Sequence, residues 1–145
     1  MMQTGTYAKK RILAVDDAAI ILSRISDTLG KYYDVVTVNS GVRALRYLEK
    51  EKPDLILLDI RMAPKDGLET LRDIRAMEGR ADVPVIMLTG MEDKNSVLES
   101  TKLGICDYIL KPFLAGDLLS RIRRVLEPDA AGQDRFQTKG VLWDE

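Results

Sequence analysis

Short apolar runs alternate with longer stretches of helical periodicity along most of the chain, and this alternation restricts the fold more than any other feature. The apolar runs cover residues 12–15, 35–38, 55–58, 83–88 and 108–110. They are rich in Val, Ile and Leu and show little polar alternation, which is typical of parallel strands covered on both faces. Five successive β-α units predict an α/β fold with a five-stranded, doubly wound parallel sheet and helices on both faces.

The stretches between the apolar runs carry apolar residues at helical spacing. A weakly apolar helix is predicted over residues 93–103, with Val97 and Leu98 as its apolar positions. Gly30 is expected to end the first helix and Ser40 to cap the second, while Asp66 and Gly67 open the third. The predicted buried stripes are Ile21, Ile25 and Leu29; Val42, Leu45 and Leu48; Leu68, Leu71 and Ile74; and Leu118, Ile122, Val125 and Leu126.

Composition excludes several classes of function. The chain contains no histidine, which removes Ser-His-Asp catalysis, His-ligated zinc and a phosphohistidine relay role. A single cysteine, Cys106, cannot form an internal disulfide, so a cytoplasmic location is expected. The net charge of −1 argues against a broadly basic nucleic-acid-binding surface, and no apolar run is long enough to cross a membrane.

The composition changes near residue 126. We expect an N-terminal extension over residues 1–9, one domain over 10–126, and a tail or the start of a linker over 127–145. The tail contains Phe136, Leu142 and Trp143, which could dock elsewhere, although a frayed terminus is the simpler interpretation.

Chemically competent side chains follow four of the five predicted strands. The carboxyl ends of parallel strands meet at one edge of a sheet, and function gathers at that edge. In chain order these residues are Asp16, Asp17, Asp59, Thr89 and Lys111. Three carboxylates and one ammonium carry about two excess negative charges, which is unfavourable without a cation. Because the available ligands are oxygens, Mg²⁺ fits this cluster, with Mn²⁺ as an alternative.

Each of these residues also has an ordinary structural explanation. Asp17 could cap a helix that starts near Ala18, Thr89 could be a strand residue, and Lys111 could be a solvated surface lysine. Their convergence on one edge favours a phosphoryl-binding site. A carboxylate can act as a nucleophile and form an acyl phosphate, with the cation, the lysine and the hydroxyl bound to phosphoryl oxygens.

The sequence resembles the receiver domains of response regulators in two-component signalling. The resemblance spans about Lys10 to Leu126 and rests on four motifs: ILAVDD, LILLDIRM followed by DG, VIMLTG, and YILKPF. It implies the flavodoxin-like strand order 2-1-3-4-5 and a cis peptide bond before Pro112.

The resemblance also assigns roles to individual residues. Asp59 is the implied phosphoacceptor, and Lys111 is the lysine that bonds the phosphoryl group. Asp16 and Asp17 form the implied acidic pair that holds Mg²⁺, with the backbone carbonyl of Arg61 as a further ligand. Thr89 and Tyr108 match the paired switch residues.

Some positions depart from the family pattern. Ala63 stands where proline is common and Pro64 follows it, so we expect a shifted turn and a retained site. Leu114 replaces a polar cap, so the last helix should begin weakly. The resemblance implies that Arg61 and Met91 flank the approach of water to a phosphorylated Asp59. Neither offers an acid or an amide to orient that water, so we expect slow self-dephosphorylation.

These features predict a phosphorylation-controlled signalling switch. A histidine kinase or phosphotransfer protein would donate the phosphoryl group, and the domain would catalyse only its own phosphorylation and dephosphorylation. The changed surface would be that of helix 4, strand 5 and helix 5, which would bind a downstream protein or a second copy of the chain.

Alternatives are a phosphorylation-independent interaction module and a receiver fragment of a longer effector. An FMN-binding flavodoxin is disfavoured by the acidic loop after strand one, and an aspartyl-phosphate phosphohydrolase by Arg61.

Overall fold

A computed structural model describes residues 9–90 and 92–128. The chain divides into two compact units, one ending at Pro112 and the other beginning at Phe113. The first unit contains five strands: β1 (Arg11–Val15), β2 (Asp34–Val38), β3 (Leu55–Asp59), β4 (Val85–Thr89) and β5 (Asp107–Leu110). It also contains four helices: α1 (Ala19–Leu29), α2 (Gly41–Lys50), α3 (Gly67–Ala76) and α4 (Lys94–Lys102). The second unit contains α5 (Ala115–Leu126).

The five strands form one parallel sheet in the order β2-β1-β3-β4-β5, which confirms the predicted flavodoxin-like topology. Val15 of β1 pairs with Leu58 of β3, and Asp59 pairs with Leu88 of β4. The ends of β1, β3 and β4 are therefore neighbours at one edge of the sheet. The strand order reverses between β1 and β3. Open α/β sheets bind ligands at the carboxyl ends of the strands beside such a reversal.

Helices cover both faces of the sheet within the first unit. On one face, α2 and α3 bury apolar side chains against those of β1, β3 and β4, with Val97 of α4 packed at the margin. On the other face, α1 contacts β1 and β2 and buries Ile25 and Leu29. Because β3 and β4 are buried along their whole length, their sequences read as continuous apolar runs.

The helix boundaries follow the predicted signals, with one error in a buried stripe. The Ser40 hydroxyl accepts a hydrogen bond from the backbone N–H of Arg43 at 3.1 Å and caps α2. The prediction that Val42 lies in the core is wrong, because 45% of it is exposed. The buried residues of α2 are Gly41, Ala44 and Leu48 instead, and Gly41 lies against the Thr70 side chain of α3.

In the second unit, α5 buries Leu118, Ile122 and Leu126. Its first turn has no side-chain cap at Leu114, as the sequence predicted. The predicted tail residues Phe136, Leu142 and Trp143 lie outside the described residues. No helix in the described part of the chain combines the length and the apolarity that a membrane span requires.

Candidate functional site

The ends of three strands bring two carboxylates and one ammonium into direct contact. The Nζ atom of Lys111, just after β5, lies 2.7 Å from Oδ2 of Asp16 and 3.0 Å from Oδ1 of Asp59. Asp16 follows β1 and is fully buried, and Asp59 ends β3 with 3% of its surface exposed. Buried carboxylates are rarely tolerated without a partner, and Lys111 is the cation that these two share.

The start of α3 fixes the backbone that carries Asp59. The backbone N–H of Gly67 donates to the carbonyl oxygen of Ile60 at 2.8 Å. A Cβ atom at position 67 would overlap the carbonyl oxygen of Asp59 and lie 2.7 Å from Cα of Ile60. Asp66 and Glu69 form a reciprocal capping box that anchors this helix start. The Asp66-Gly67 pair therefore caps the helix and admits close contact with the end of β3.

A third carboxylate completes the acidic cluster. Asp17 is exposed, and oxygens of Asp16, Asp17 and Asp59 all lie within 4.8 Å of one another. The backbone N–H of Ala18 donates a hydrogen bond to Oδ1 of Asp16 at 2.9 Å, and Ala18 itself is the N-cap residue of α1. The interpretation of Asp17 as the helix cap is therefore wrong. This leaves the exposed carboxylate of Asp17 available to a ligand in the cleft.

Burial dominates the electrostatics of the acceptor candidate. It raises the pKa of Asp59 from 3.8 to about 6, and the nearby Asp16 adds to the rise, while the hydrogen bond from Lys111 opposes it. For Lys111, burial lowers the pKa, but its bonds to Asp16 and Asp59 outweigh burial and the net shift is upward. The lysine therefore stays protonated at neutral pH and only partly compensates the carboxylates.

A cleft of about 540 Å³ opens over this cluster. Its walls include Asp16, Asp17, Asp59, Arg61 and Lys111. The donor set consists of carboxylate oxygens, which suit a hard divalent cation such as Mg²⁺. Two ligand atoms that share one Mg²⁺ at ~2.1 Å lie at most ~4.2 Å apart. The observed spread of oxygens within 4.8 Å is thus close to what one ion requires.

The two predicted switch residues differ in their surroundings, and the carbonyl oxygen of Thr89 accepts a hydrogen bond from the backbone N–H of Lys111 at 2.7 Å. Thr89 is buried, and its hydroxyl donates to the carbonyl oxygen of Gly90 at 3.1 Å. Tyr108 is 44% exposed and lines a separate groove with Val97, Leu98 and Leu110. Met91, which the sequence placed beside the approach of water, lies outside the described residues.

The side chain of Arg61 is held by a residue that the sequence analysis missed. Its Nε atom donates to Oδ1 of Asp93 at 2.8 Å and lies 4.0 Å from Oε2 of Glu92. The hydrogen bond to Asp93 raises the pKa of the guanidinium. Asp93 is 6% exposed, and among the described residues no donor reaches its Oδ2 atom. The position of Asp93 at the start of the predicted helix 93–103 indicated a helix cap. Its bond to Arg61, 32 positions away, could not be inferred from that local pattern.

Two cis peptide bonds flank the site. The bond between Lys111 and Pro112 is cis, as expected, and so is the bond between Ala63 and Pro64. The acidic cluster is assembled with Ala63 and Pro64 in the turn after β3.

The strand order and the acidic cleft define a flavodoxin-like α/β domain whose site contains several carboxylates and one lysine. More specifically, the chain belongs to the family of response regulator receiver domains, whose model matches residues 12–123. This match confirms the predicted family.

Similar proteins include full-length regulators and isolated receiver domains. The probable transcriptional regulator ycf27 of Guillardia theta is 37% identical over 137 residues, which are 92% of this chain and 53% of that protein. The chain spans about half the length of the curated relatives that it matches. The chemotaxis response regulator CheY4 of Vibrio cholerae aligns with a TM-score of 0.77 at 31% identity, covering 81% of this chain and 99% of that one.

Another solved structure similar to this chain is the receiver domain of the sensor histidine kinase PA1611 from Pseudomonas aeruginosa. It has a magnesium ion coordinated in the active site cleft. The TM-score is 0.74 at 33% identity, covering 81% of this chain and 98% of that one.

Proposed function

We propose that Asp59 accepts a phosphoryl group from a histidine kinase or a phosphotransfer protein in a Mg²⁺-dependent reaction that switches the chain between two signalling states. The observation that carries the proposal is the contact of one ammonium, that of Lys111, with the two buried carboxylates of Asp16 and Asp59. In such an arrangement the nucleophile Asp59, the metal ligand Asp16 and the phosphoryl-binding ammonium of Lys111 lie together.

Asp16, Asp17 and Asp59 would hold the cation, with the backbone carbonyl of Arg61 as a further ligand. When bound, Mg²⁺ supplies positive charge that neutralises phosphoryl oxygens. The magnesium in the PA1611 receiver domain supports this choice of metal, and Mn²⁺ is a chemically similar alternative.

The chain's own residues then supply acceptor, charge and hydrogen bonding. An oxygen of Asp59 attacks the phosphorus atom, an O–P bond forms, and the P–N bond to the donor histidine breaks. The leaving imidazole keeps the electron pair and takes up a proton. The Lys111 ammonium, which bonds Asp16 and Asp59 before the reaction, then donates a hydrogen bond to one phosphoryl oxygen. The Thr89 hydroxyl turns from the carbonyl oxygen of Gly90 and donates to another phosphoryl oxygen. The domain thus catalyses its own phosphorylation and later its dephosphorylation.

Within the first unit, the output surface that we propose consists of α4 and β5, and α5 of the second unit is proposed as a further binding element. A groove of about 430 Å³ lies between α4 and β5, and three apolar side chains with large exposed fractions line it. They are Leu98 (61%), Tyr108 (44%) and Leu110 (48%). An exposed apolar patch of this kind suits binding to a downstream protein or a second copy of the chain.

The described domain is proposed to act through proteins, with no direct contact to nucleic acid or membrane, in the cytoplasm. Two curated relatives are named transcriptional regulators and a third is named a DNA-binding response regulator, and the chain spans about half the length of each. A receiver portion of a longer effector is therefore a second form of the same proposal, in which a further domain carries the output.

Incubation with acetyl phosphate and Mg²⁺, followed by mass spectrometry, tests the proposal. One acid-stable, base-labile phosphate should appear on the parent and be absent from Asp59→Asn. A control, Asp73→Asn, removes a partly exposed carboxylate on α3 and should leave phosphorylation unchanged. A parent that gains no phosphate would favour the phosphorylation-independent interaction module, and equal phosphate on Asp59→Asn would assign the acceptor to another residue; either result overturns the proposal.

A further inference from the structure

The ion pair of Arg61 and Asp93 joins two parts of the first unit across the mouth of the cleft. Arg61 follows β3 two residues after the acceptor candidate Asp59, and Asp93 is the residue at which α4 begins. All three residues line the same cleft. A phosphoryl group on Asp59 would therefore enter space that the Arg61 side chain borders.

Asp93 occupies a capping position but does not cap its helix. Aspartate at this position normally accepts a hydrogen bond from the second or third backbone N–H of the helix, here those of Asn95 and Ser96. In this structure the carboxylate makes no such bond, and Oδ1 instead binds Arg61. The first turn of α4 contains no acidic residue and begins with Lys94, so no carboxylate within that turn offsets the positive end of the helix dipole.

The second oxygen of Asp93 makes this arrangement unfavourable. Oδ2 is buried and has no hydrogen-bond donor among the described residues. A buried carboxylate oxygen without a donor is costly, and it favours any rearrangement that supplies one. The backbone N–H groups of Asn95 and Ser96, which have no acceptor among the described residues, are donors next to it in the chain.

From this geometry we propose that Arg61 and Asp93 form an exchange pair that links the phosphorylation state of Asp59 to the start of α4. The inference rests on the proposed function. In the unphosphorylated protein, Asp93 holds Arg61. When Asp59 carries a phosphoryl group, the Arg61 guanidinium moves to its oxygens, because a dianion offers stronger charge-assisted bonds than one carboxylate. The released Asp93 then caps α4 at Asn95 or Ser96, and the helix start becomes more ordered.

Amide hydrogen exchange with Mg²⁺ and beryllofluoride as the phosphoryl mimic tests this coupling. In the parent, the amides of Asn95 and Ser96 should gain about fivefold protection on addition of the mimic, the effect of one helix cap. Asp93→Ala should lose that gain. Asp93→Asn should show this protection already before the mimic is added, because asparagine caps as well as aspartate and holds Arg61 less strongly, and it should bind beryllofluoride about two- to fivefold more tightly.

A matched control removes a different Arg–carboxylate bridge to the same helix. Glu99 of α4 accepts from Arg72 of α3 at 3.1 Å, away from the cleft, so Glu99→Gln should behave as the parent. Equal protection in Asp93→Ala and the parent, or no change at Asn95 and Ser96 once the mimic is bound, would overturn the exchange pair and leave the proposed function intact. Failure of the parent to bind the mimic at all would overturn both.

Discussion

Gly67 at the start of α3 lies so close to Asp59 that no side chain fits between them. A Cβ atom on Gly67 would overlap the carbonyl oxygen of Asp59 and crowd the backbone of Ile60. The neighbouring atoms belong to the backbone, so they cannot rotate away as a flexible side chain would. The start of α3 thus packs directly against the end of β3 and fixes the position of the backbone at Asp59.

We therefore expect Gly67→Ala to lower the free energy of unfolding by about 1–3 kcal/mol, the usual cost of overpacking, and to slow phosphorylation. Chemical denaturation and the rate of phosphate uptake measure the two effects. Gly116→Ala is the control, because a Cβ there meets no atom within 4 Å. It should be neutral or stabilising by up to ~1 kcal/mol, since alanine favours a helix over glycine. A Gly67→Ala protein as stable and as reactive as the parent would show that the strand end is free to move.

A second prediction concerns Asp59 and pH in the absence of metal. Its folded pKa is about 6 against 3.8 as the reference value, so the folded state binds more protons than the unfolded state between these pH values. The contribution of protonated Asp59 to the free energy of unfolding is fully present below about pH 4 and is lost as the pH rises to about 6. Asp59→Asn, which does not titrate, should exceed the parent in stability on the order of 1–3 kcal/mol above pH 6 and match it near pH 4.

Thermal unfolding across pH, with a chelator present, measures this difference. Asp82→Asn serves as a control, because that carboxylate side chain is 82% exposed and its removal should shift the profile little. If Asp59→Asn melts below the parent at pH 7.5, the bond from Lys111 stabilises the carboxylate more than burial destabilises it.

Removal of a single cation ligand should weaken Mg²⁺ binding. Asp17→Asn deletes the exposed carboxylate of the acidic cluster, and we expect at least a tenfold rise in the Kd for Mg²⁺, because a hard cation binds charged oxygens most strongly. Isothermal titration calorimetry gives the constant. Asp27→Asn, on the exposed side of α1, changes the net charge equally and should leave the Kd near the parent value. Phosphorylation that continues undiminished in excess chelator would contradict a metal requirement.

The lifetime of the phosphorylated state provides a fourth prediction. Arg61 and Met91 offer no acid or amide to orient a water molecule toward the phosphorus atom, so loss of phosphate should be slow. The double variant Arg61→Asn, Met91→Glu supplies an amide and a carboxylate at these positions and should lose phosphate faster. Release of inorganic phosphate from the purified phosphorylated proteins gives both rates. Equal rates would mean that Thr89, Lys111 and the cation alone govern the lifetime.

The sequence predicted the sheet and the cluster at its edge because both depend on simple regularities. Parallel strands buried on two faces read as apolar runs, and the residues that follow them converge, as Asp16, Asp59 and Lys111 do. The rotation of α2 was not predictable from its apolar spacing, since that spacing indicated Val42, Leu45 and Leu48, whereas the helix buries Gly41 and Ala44 beside Leu48.

Two features of the site depended on packing between segments distant in sequence. Asp93 has the local signature of a helix cap, and only the folded structure shows its carboxylate turned to Arg61. The tight fit of Gly67 against Asp59 is likewise a backbone contact that no residue pattern encodes. Thr89 was correctly located at the end of β4, but its hydroxyl bond to Gly90 was not foreseen.

Lys111 stands 52 positions after Asp59 and 95 after Asp16, which has a consequence for the protein while it is being made. A ribosome that adds roughly 5–20 residues per second needs roughly 3–10 s to pass from the acceptor to the lysine. During that interval the nascent chain contains all three carboxylates without the ammonium that links two of them. Under the proposed chemistry, Asp59 therefore becomes a competent acceptor only when β5 has been synthesised and has joined the sheet.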